Sequence, residues 1–485
     1  MQSFYWHDYE TWGATPAVDR ASQFAGVRTD MDLNIIDDPL VIYCQPPEDI
    51  WPHPEACLVT GILPQEAKAK GLLEKDFIEK IHRELSCANT CSVGYNTLRF
   101  DDEVTRYTLY RNFYEPYARE WQNGNSRWDI IDMMRLVYAL RPEGIEWPIV
   151  DDVVSFKLEN LTVANGVSHA SAHDAYSDVE ATIAMAKLVK TRKPDLYDFV
   201  FKNRDKKLLA SMIDIQNCKP LLHVSSMFSA ARGCTSIIVP LAMHPKNKNA
   251  VIAYDLSVDP SPMADMTAED IRERVFVKQD ELPEGVERLP VKLIHLNKCP
   301  ILATVKLLQD PVAKRLGIDK AQYEAHWQII RQMNTGPNFS LGNTLVEMYQ
   351  LDEFDGASDP EMQLYDGFIG GRDKGLMQDI HQLSESQLLS RNFVFEDERL
   401  NQMLPRYLAR NYPAVLEEGH MREWQEFVAN RLAYGDERIL SYAELKQGIM
   451  SLKHDLVGDA AKIELLDKLE TYADEHFAKY QHLVV

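Results

Sequence analysis

The stretch SFYWHDYE at residues 3–10 decides how the first part of the chain folds. Its run of aromatic and apolar side chains predicts a buried β-strand. Side chains two residues apart in a strand point to the same face, so Asp8 and Glu10 are expected to lie side by side. Adjacent carboxylates repel each other unless a cation lies between them, and their hard oxygens suit Mg²⁺ or Mn²⁺. A strand end whose two acids face water is the alternative for this motif alone.

The segments that follow predict an α/β fold for the first third. QFAGVRTD (23–30), LNIIDDPLVIYC (33–44) and TCSVGYN (90–96) are β-rich runs bounded by turn signals. The apolar spacing of DDEVTRYTLYRNFY (101–114) predicts a helix. DAYSDVEATIAMAKLV (174–189) is an Ala-rich amphipathic helix, expected to end before the Lys-Pro pair that follows, since proline disfavours helix at the preceding residue.

The rest of the chain has two further kinds of pattern. The middle third carries short β-rich runs that predict a small barrel or curled sheet: PLLHVSS (220–226), TSIIVPLAM (235–243), NAVIAYDL (249–256) and LPVKLIHL (289–296). Helical patterning returns over 310–333, and a linker is predicted from 336 to 360. The last third is predicted to be helical, with a break at Gly458–Asp459.

Composition excludes several classes of protein. The 485 residues are 45% hydrophobic and 26% charged, which is ordinary for a globular protein rather than a disordered one. No run of about 18 apolar residues predicts a membrane span, and no signal peptide is expected. Seven dispersed cysteines indicate small buried residues in a reducing cytosol rather than a disulfide framework. No phosphate-binding or dinucleotide-binding glycine motif occurs.

The formal charge of −22 argues at first sight against a nucleic-acid partner, because phosphates attract Lys and Arg. The charge is uneven along the chain, however. Residues 1–190 carry a net −13, residues 191–350 a net +3, and residues 351–485 a net −12. Only the middle third is positive. A strand bound in a channel meets the charge of the channel lining, not the net charge of the whole protein.

Two more acidic motifs stand where the predicted elements begin. Asp101 follows the strand TCSVGYN and opens a helix, and the carboxyl ends of strands are where α/β sheets place their sites. His173 precedes Asp178 by five residues at the start of the Ala-rich helix. Helix capping explains either motif equally well when it is taken alone.

The combined pattern D-x-E … D … H-x-x-x-x-D resembles the DEDD exonuclease superfamily of the histidine subtype, on an RNase H-like fold. That resemblance implies two Mg²⁺ ions, with Mn²⁺ as a substitute, held by Asp8, Glu10, Asp101 and Asp178. It also implies that His173 is the general base. The family pattern N-x-x-x-F-D selects Asp101 over its neighbour, so Asp102 is expected to cap the helix or face solvent. Asp129 and Asp132 are interpreted as structural.

Longer stretches resemble the bacterial exodeoxyribonuclease I family over nearly the whole chain. They include FYWHDYETWG, GYNTLRFDDEVTRYTLYRNFYEPYA, AHDAYSDVEATIAMAKLVKTRKP, PLLHVSSMFSAARG and QLYDGF. The resemblance implies an RNase H-like exonuclease domain (1–192), an SH3-like β-barrel domain (193–350) and a helical C-terminal domain (351–485) around a positive channel. It implies 3′→5′ degradation of single-stranded DNA to 5′-mononucleotides, a role in DNA repair and recombination, and a monomer in the bacterial cytoplasm.

The same resemblance suggests a set of DNA-lining residues: Arg106, Tyr117, Trp121, Arg135, Lys157, Lys206, Asn249, Lys292, Asn297 and Tyr365. Guanidiniums for phosphates and rings for bases are what single-strand binding requires. Taken singly, each ring is more often part of a core and each lysine a solvated charge. Lys157 stands where the family usually has arginine. Lysine keeps the positive charge but loses the bidentate hydrogen bonding of a guanidinium. The acidic C-terminal tail of single-stranded DNA-binding protein is an expected partner, with Arg331 as a candidate contact.

Two other functions stay open on the sequence. An RNA-directed or proofreading 3′→5′ exonuclease would use the same acids, although its compact form lacks the two extra domains. A non-catalytic single-strand-binding scaffold would be marked by the loss of one acid or of the histidine. All five residues are present in this chain.

Overall fold

The computed structural model describes residues 2–168, 174–335, 340–351, 356–436 and 438–484. The packing of its Cα trace divides the chain into two compact units. The first unit contains Met1–Arg127, His169–Ile183 and Gly356–Val485. The second contains Trp128–Ser168 and Ala184–Asp355.

The first sheet is built around the strand that the opening stretch predicts. Its strands are β1 (Ser3–Thr11), β2 (Ala21–Thr29), β3 (Leu40–Tyr43), β4 (Thr90–Gly94) and β5 (Ser126–Asp129), in the order β3-β2-β1-β4-β5. The central strand β1 pairs antiparallel with β2 and parallel with β4. Every residue of β1 except Asp8 is buried, which explains its aromatic composition.

Seven helices and a short hairpin complete the described part of residues 2–192. The helices are α1 (Pro54–Thr60), α2 (Pro64–Lys70), α3 (Glu74–Leu85), α4 (Asp101–Arg111), α5 (Ile130–Leu140), α6 (Leu158–Ala164) and α7 (Ala175–Arg192). Strands β6 (Ile149–Val150) and β7 (Val153–Val154) form the hairpin. Tyr9 of β1 and Phe24 of β2 pack in one cluster with Phe77 of α3 and Leu109 of α4. The helices predicted over 101–114 and 174–189 are thereby confirmed, and α7 ends before the Lys-Pro pair.

The second sheet is antiparallel and lies in the second unit. Its strands are β8 (Leu221–Val224), β9 (Thr235–Met243), β10 (Ala250–Asp255), β11 (Val291–His295) and β12 (Ile301–Thr304), in the order β11-β10-β9-β8-β12. The four β-rich runs of the middle third account for β8 to β11. The helices of this region are α8 (Pro194–Lys202), α9 (Lys206–Met212), α10 (Ala268–Phe276), α11 (Asp310–Arg315), α12 (Lys320–Thr335) and α13 (Leu341–Gln350).

The linker predicted from 336 to 360 is wrong in part, because α13 lies inside that range. Helix formation there follows from burial. Leu341, Leu345 and Met348 are fully buried at three- and four-residue spacing, so one face of the segment is anchored in the core.

The last third is helical, as predicted. Its helices are α14 (Gly371–Gln382), α15 (Glu385–Ser390), α16 (Glu398–Asn411), α17 (Glu418–Tyr434), α18 (Tyr442–Asp455) and α19 (Ala460–Phe477). The break at Gly458–Asp459 separates α18 from α19, and the Asp459 carboxylate caps α19 by accepting from the Lys462 amide. Of the helices in the described ranges, none has the length and apolarity that crossing a membrane would require.

A buried ionic network joins the start of β2 to the helical C-terminal segment within the first unit. Arg20 lies 2.7 Å from Glu361, which also pairs with Arg410 at 2.5 Å. Arg410 in turn lies 2.7 Å from Asp49. Burial by itself would raise the pKa of Glu361, but the guanidiniums of Arg410 and Arg20 hold that pKa well below its ordinary value. The carboxylate is therefore charged in the folded protein.

Glu361→Gln is expected to lower the free energy of unfolding by about 3–5 kcal/mol, because it removes one anionic partner from each of two buried arginines. Since the folded pKa is depressed, this contribution is fully present above the unfolded pKa of about 4.3 and is lost progressively as the pH falls from there through the lower folded pKa. Urea denaturation at pH 7 and below pH 4 measures both effects. Glu396→Gln, which breaks the exposed pair with Arg372, is the control and should change stability by less than about 0.5 kcal/mol.

Candidate active site

Three carboxylates meet at the middle of the first sheet. Asp8 and Glu10 project from β1, and Asp178 projects from the first turn of α7. One ligand oxygen from each lies within 4.8 Å of the other two. Glu10 is buried, and the other two are half-buried. The same-face placement predicted from the D-x-E spacing is therefore what the strand produces, and three hard oxygens at this separation are a ligand set for a divalent cation.

Asp101 lies beside this cluster on the first turn of α4, although in the described part of the chain it is not among the three acids whose oxygens lie within 4.8 Å of one another. Its Oδ1 accepts a 3.0 Å hydrogen bond from the backbone N–H of Tyr9, the residue between the two β1 acids. Gln23, which pairs with Glu10 across the β1–β2 ladder, accepts from the Ala175 amide at 3.3 Å. The start of α7 is thus tied to the strand beside Glu10, three residues before Asp178.

Electrostatics show that these acids repel each other when no cation is present. Burial raises the pKa of Asp8 well above its ordinary value, and the carboxylates of Asp101 and Glu10 raise it further. Burial, followed by Asp178 and Asp101, raises the pKa of Glu10 to about 9. A divalent cation at the centre would supply the positive charge that this cluster lacks, so the donor set fits a metal ion.

His173, the predicted general base, lies outside the described residues. The described chain resumes at Asp174, whose carboxylate accepts from the Ser177 amide at 3.2 Å. His7 lies next to Asp8 in sequence but is no substitute for His173. It is buried among the rings of Tyr9 and Phe24, and burial lowers its pKa to about 4, which makes the imidazole a weak proton acceptor.

The expectation for Asp102 was wrong: it neither caps α4 nor faces solvent. Asp102 is 2% exposed and pairs with Arg119 at 2.7 Å and with Arg127 at 2.8 Å. Burial alone would raise the pKa of Asp102, yet Arg127 and Arg119 hold that pKa far below its ordinary value. Both arginines come from outside α4, so no local pattern around Asp102 reveals them.

Three of the four DNA-lining candidates of the first unit, Arg106, Tyr117 and Tyr365, lie together at α4. Arg106 is buried and donates to Glu120 through Nε at 2.7 Å and to Glu103 through Nη1 at 2.8 Å. Tyr365 donates to Glu103 and accepts from Arg106 Nη1 at 3.0 Å. The Tyr117 ring lies under the Arg106 guanidinium, 5.4 Å from it.

Two carboxylates engage the Arg106 guanidinium, so Arg106 ties Glu103 and Glu120 together. A contact between Arg106 and a phosphate stays a prediction. Trp121 is 65% exposed and Tyr365 is 54% exposed, so these rings are available to bases. The assignment of the whole set to DNA stays a prediction.

The candidates of the second unit differ in exposure. Lys157, Lys206 and Asn297 are exposed, and Lys206 donates to Asn249, so two of the predicted residues meet. Lys292 is buried with its ammonium 4.2 Å from the centre of the Phe228 ring.

Helix α5 of the second unit carries Arg135, the remaining candidate. Arg135 is buried, pairs with Asp132 at 2.6 Å, and lies over the Phe156 ring. Asp129 caps α5 by accepting from the Ile131 amide at 3.0 Å. These contacts agree with the structural interpretation of Asp129 and Asp132, which stays a prediction.

Sequence reasoning missed three residues that lie together: Glu120, Arg119 and Arg127. Glu120 lies 2.7 Å from Arg106 and 3.1 Å from Arg127. Arg119 and Arg127 then link Glu120 to Asp102. The only sequence signal for these pairs is the adjacent opposite charges in the segment AREW, at 118–121. Such a charge pattern is more typical of a solvated surface.

Family profiles match three consecutive parts of the chain. An exonuclease profile matches residues 5–186. The exonuclease I SH3-like domain matches 204–350, and the exonuclease I C-terminal domain matches 358–476. The boundaries predicted at 192/193 and 350/351 stay predictions, because these matches leave the junctions between them unassigned.

Known proteins are similar over nearly the full length. Exodeoxyribonuclease I of Escherichia coli K12 is 44% identical over 477 residues, which is 98% of each chain. The crystal structure of E. coli exonuclease I with a dA16 oligonucleotide superposes with a TM-score of 0.93 at 44% identity, covering 98% of this chain and 100% of that one. The zinc-bound form of the E. coli enzyme–single-stranded DNA complex gives 0.93 at 43% identity, covering 98% and 99%.

The acidic centre and the three matched regions define a hydrolytic nuclease: an RNase H-like exonuclease domain, an SH3-like domain and a helical C-terminal domain. Such exonucleases depend on metal ions, in keeping with the carboxylate cluster. The chain belongs to the exonuclease I family.

Proposed function

We propose that this protein is a 3′→5′ exodeoxyribonuclease that degrades single-stranded DNA to 5′-mononucleotides by metal-dependent hydrolysis. The observation that carries the proposal is the cluster of Asp8, Glu10 and Asp178 on an exonuclease fold. The full-length similarity to exodeoxyribonuclease I, and to an exonuclease I solved with single-stranded DNA, supports the substrate.

The proposed cofactor is a pair of Mg²⁺ ions held by Asp8, Glu10, Asp101 and Asp178, with Mn²⁺ able to replace them. Carboxylate oxygens favour these hard cations over softer metals. Once bound, such a pair polarises the scissile phosphate and stabilises the attacking and leaving oxygens of the displacement. A zinc-bound form of the E. coli enzyme–single-stranded DNA complex supports metal binding in this family.

The chain's own residues supply the remaining parts of the mechanism. His173 is proposed to take the proton from the attacking water, because an imidazole with a pKa near 6.5 is available as a base at neutral pH. The Tyr9 amide holds one oxygen of Asp101, so that carboxylate keeps a fixed orientation. Gln23 fixes the start of α7 and thereby the approach of Asp178.

A time course on end-labelled DNA tests the proposed function. Single strands and duplexes labelled at the 3′ or 5′ end, and a matched RNA strand, are incubated with Mg²⁺ or with EDTA. Mononucleotides should appear at once from the 3′ label of single-stranded DNA, later from its 5′ label, and not in EDTA. Equal degradation of duplex DNA would contradict the strand preference. Equal degradation of RNA would favour the RNA-directed alternative, and binding of the single strand without cleavage would favour the scaffold.

The exposed ring of Trp121 is proposed to stack on a base of the strand. Trp121→Ala should weaken binding of a single-stranded oligonucleotide by about 1–3 kcal/mol, with little dependence on its sequence, because every base has a face on which to stack. Fluorescence anisotropy in EDTA measures binding without cleavage. Tyr434→Ala removes another ring, 64% exposed, from α17 and serves as the control. Equal affinities of the wild-type and Trp121→Ala proteins would remove Trp121 from the binding surface.

The wider setting of the enzyme is also a proposal. A monomer acting in DNA repair and recombination in the bacterial cytoplasm fits the relationship to exodeoxyribonuclease I. The net +3 of residues 191–350 suits the acidic tail of single-stranded DNA-binding protein. Arg331 is exposed on α12, over the Trp327 ring. A fluorescent peptide of that tail should bind the wild-type chain more tightly than Arg331→Ala, and equal binding would exclude this contact.

A further inference from the structure

Asp102 is anchored on both of its carboxylate oxygens. Oδ1 accepts from Arg119 Nη2 at 2.7 Å, and Oδ2 accepts from Arg127 Nη1 at 2.8 Å. All three side chains are almost completely buried. Charge-assisted bonds of this length in a buried setting are strong and directional, so the position of Asp102 is fixed relative to both arginines.

The anchored residue belongs to the same helical turn as Asp101. Helix α4 begins without a side-chain cap, since its N-cap residue is Phe100. The Asp102 amide donates to the Thr97 carbonyl at 2.9 Å, which ties the turn back to the preceding loop. Asp101 and Asp102 are consecutive and point in different directions, so a rotation of this turn that displaced Asp102 would displace Asp101 as well.

Both arginines also pair with Glu120, Arg119 at 3.8 Å. Arg127 donates to Asp102 from β5 and also lies 3.1 Å from Glu120. Glu120 pairs with Arg106, on the second turn of α4. Helix α4 is therefore held to this segment at two levels, once through Asp102 and once through Arg106.

We propose that Asp102 is a positioning residue for the metal site: its buried pairs with Arg119 and Arg127 fix the first turn of α4 and so place the Asp101 carboxylate among the other ligands. The inference rests on the proposed function, because it takes Asp101 as a ligand. It assigns to Asp102 no contact with metal or substrate. Partners that orient metal ligands in this way commonly contribute about 10- to 100-fold to metal affinity.

A double-mutant cycle on Mn²⁺ binding tests this inference. Calorimetric titration of the metal-free full-length chain, without DNA, gives Kd for the wild type, Asp101→Asn, Asp102→Asn and the double variant. Asp102→Asn should weaken Mn²⁺ binding by about 10- to 100-fold. If Asp102 acts through Asp101, the double variant should bind little more weakly than Asp101→Asn. A merely structural role would not produce this loss of additivity.

Two further variants guard against a simple loss of folding. Arg127→Lys keeps the positive charge, but an ammonium cannot replace the guanidinium that contacts both Asp102 and Glu120. The variant should weaken Mn²⁺ binding while its circular dichroism spectrum stays native. Glu361→Gln is the matched control, because Glu361 is an equally buried acid between two arginines and is not adjacent to a proposed ligand. It should lower stability and leave Kd for Mn²⁺ unchanged.

The outcomes separate the inference from the function on which it rests. If Asp101→Asn leaves Mn²⁺ affinity unchanged, the proposed metal site is wrong. If Asp101→Asn weakens binding while Asp102→Asn and Arg127→Lys do not, the site stands and the positioning role is overturned. Additive effects of Asp101→Asn and Asp102→Asn overturn it as well.

Discussion

Asp8→Asn is expected to lower the Mg²⁺-dependent release of nucleotides from single-stranded DNA by at least about 10³-fold. Asp8 lies at the centre of the carboxylate cluster, within 4.8 Å of both Glu10 and Asp178. Losing a ligand there removes several kcal/mol of transition-state stabilisation, and each 1.4 kcal/mol is about tenfold in rate. Initial rates on a 3′-labelled strand, with Mg²⁺ varied, measure the effect.

The same substitution should stabilise the metal-free protein. Burial and neighbouring carboxylates raise the pKa of Asp8 in the folded chain, so at pH 7 this acid opposes folding. The midpoint of thermal unfolding in EDTA should therefore rise for Asp8→Asn while activity falls. Glu55→Gln, an exposed acid in the first turn of α1, is the control and should change neither quantity. A variant that loses activity and stability together would show that Asp8 is structural.

His173→Ala is expected to lower kcat by about 10²–10⁴-fold while leaving affinity for single-stranded DNA unchanged. That range is what a positioned general base contributes. Single-turnover rates and anisotropy in EDTA separate the two quantities. A residual rate that no longer falls as pH drops through about 6.5 would identify the imidazole as the titrating base.

His169→Ala provides a nearby comparison, because it removes a second imidazole four residues earlier in the chain. The variant should retain nearly full kcat. If His173→Ala weakened DNA binding and kcat to the same extent, or if His169→Ala reproduced its effect, the general-base assignment would be contradicted.

The part of the site that could be predicted from sequence is the part that local geometry determines. The D-x-E spacing in a strand places Asp8 and Glu10 on one face whatever the rest of the chain does. The amphipathic spacing of α7 likewise gives the helix that carries Asp178. The position of Asp101 after a strand made it a candidate, and the family pattern N-x-x-x-F-D supplied the choice between it and Asp102.

The parts that sequence could not supply depend on residues far apart in the chain. Asp102 looked like a capping acid because its two arginines stand 17 and 25 residues away. The pairs that Arg106 makes with Glu120 and with Tyr365, which lies 259 residues further on, likewise cannot be assigned from local pattern. The burial of Lys292, whose ammonium lies 4.2 Å from the centre of the Phe228 ring, likewise depends on a residue that is distant in the chain.

The overall charge of −22 is compatible with a nucleic-acid substrate once individual acids are located. Asp8, Glu10 and Asp178 form the metal-binding cluster, where bound cations offset their charge. Asp49, Asp102 and Glu361 are buried against arginines and present no charge to a strand. Net charge therefore overstates the negative potential that DNA would meet.

Anomalous scattering from crystals grown with Mn²⁺ and a phosphorothioate single strand tests the central proposal most directly. We predict two peaks about 3.5–4 Å apart. They should lie among the carboxylates of Asp8, Glu10, Asp101 and Asp178 and contact the phosphodiester nearest the 3′ end of the strand. A bound strand whose 3′ end lies elsewhere, or Mn²⁺ held by other residues while these four acids bind none, would contradict it.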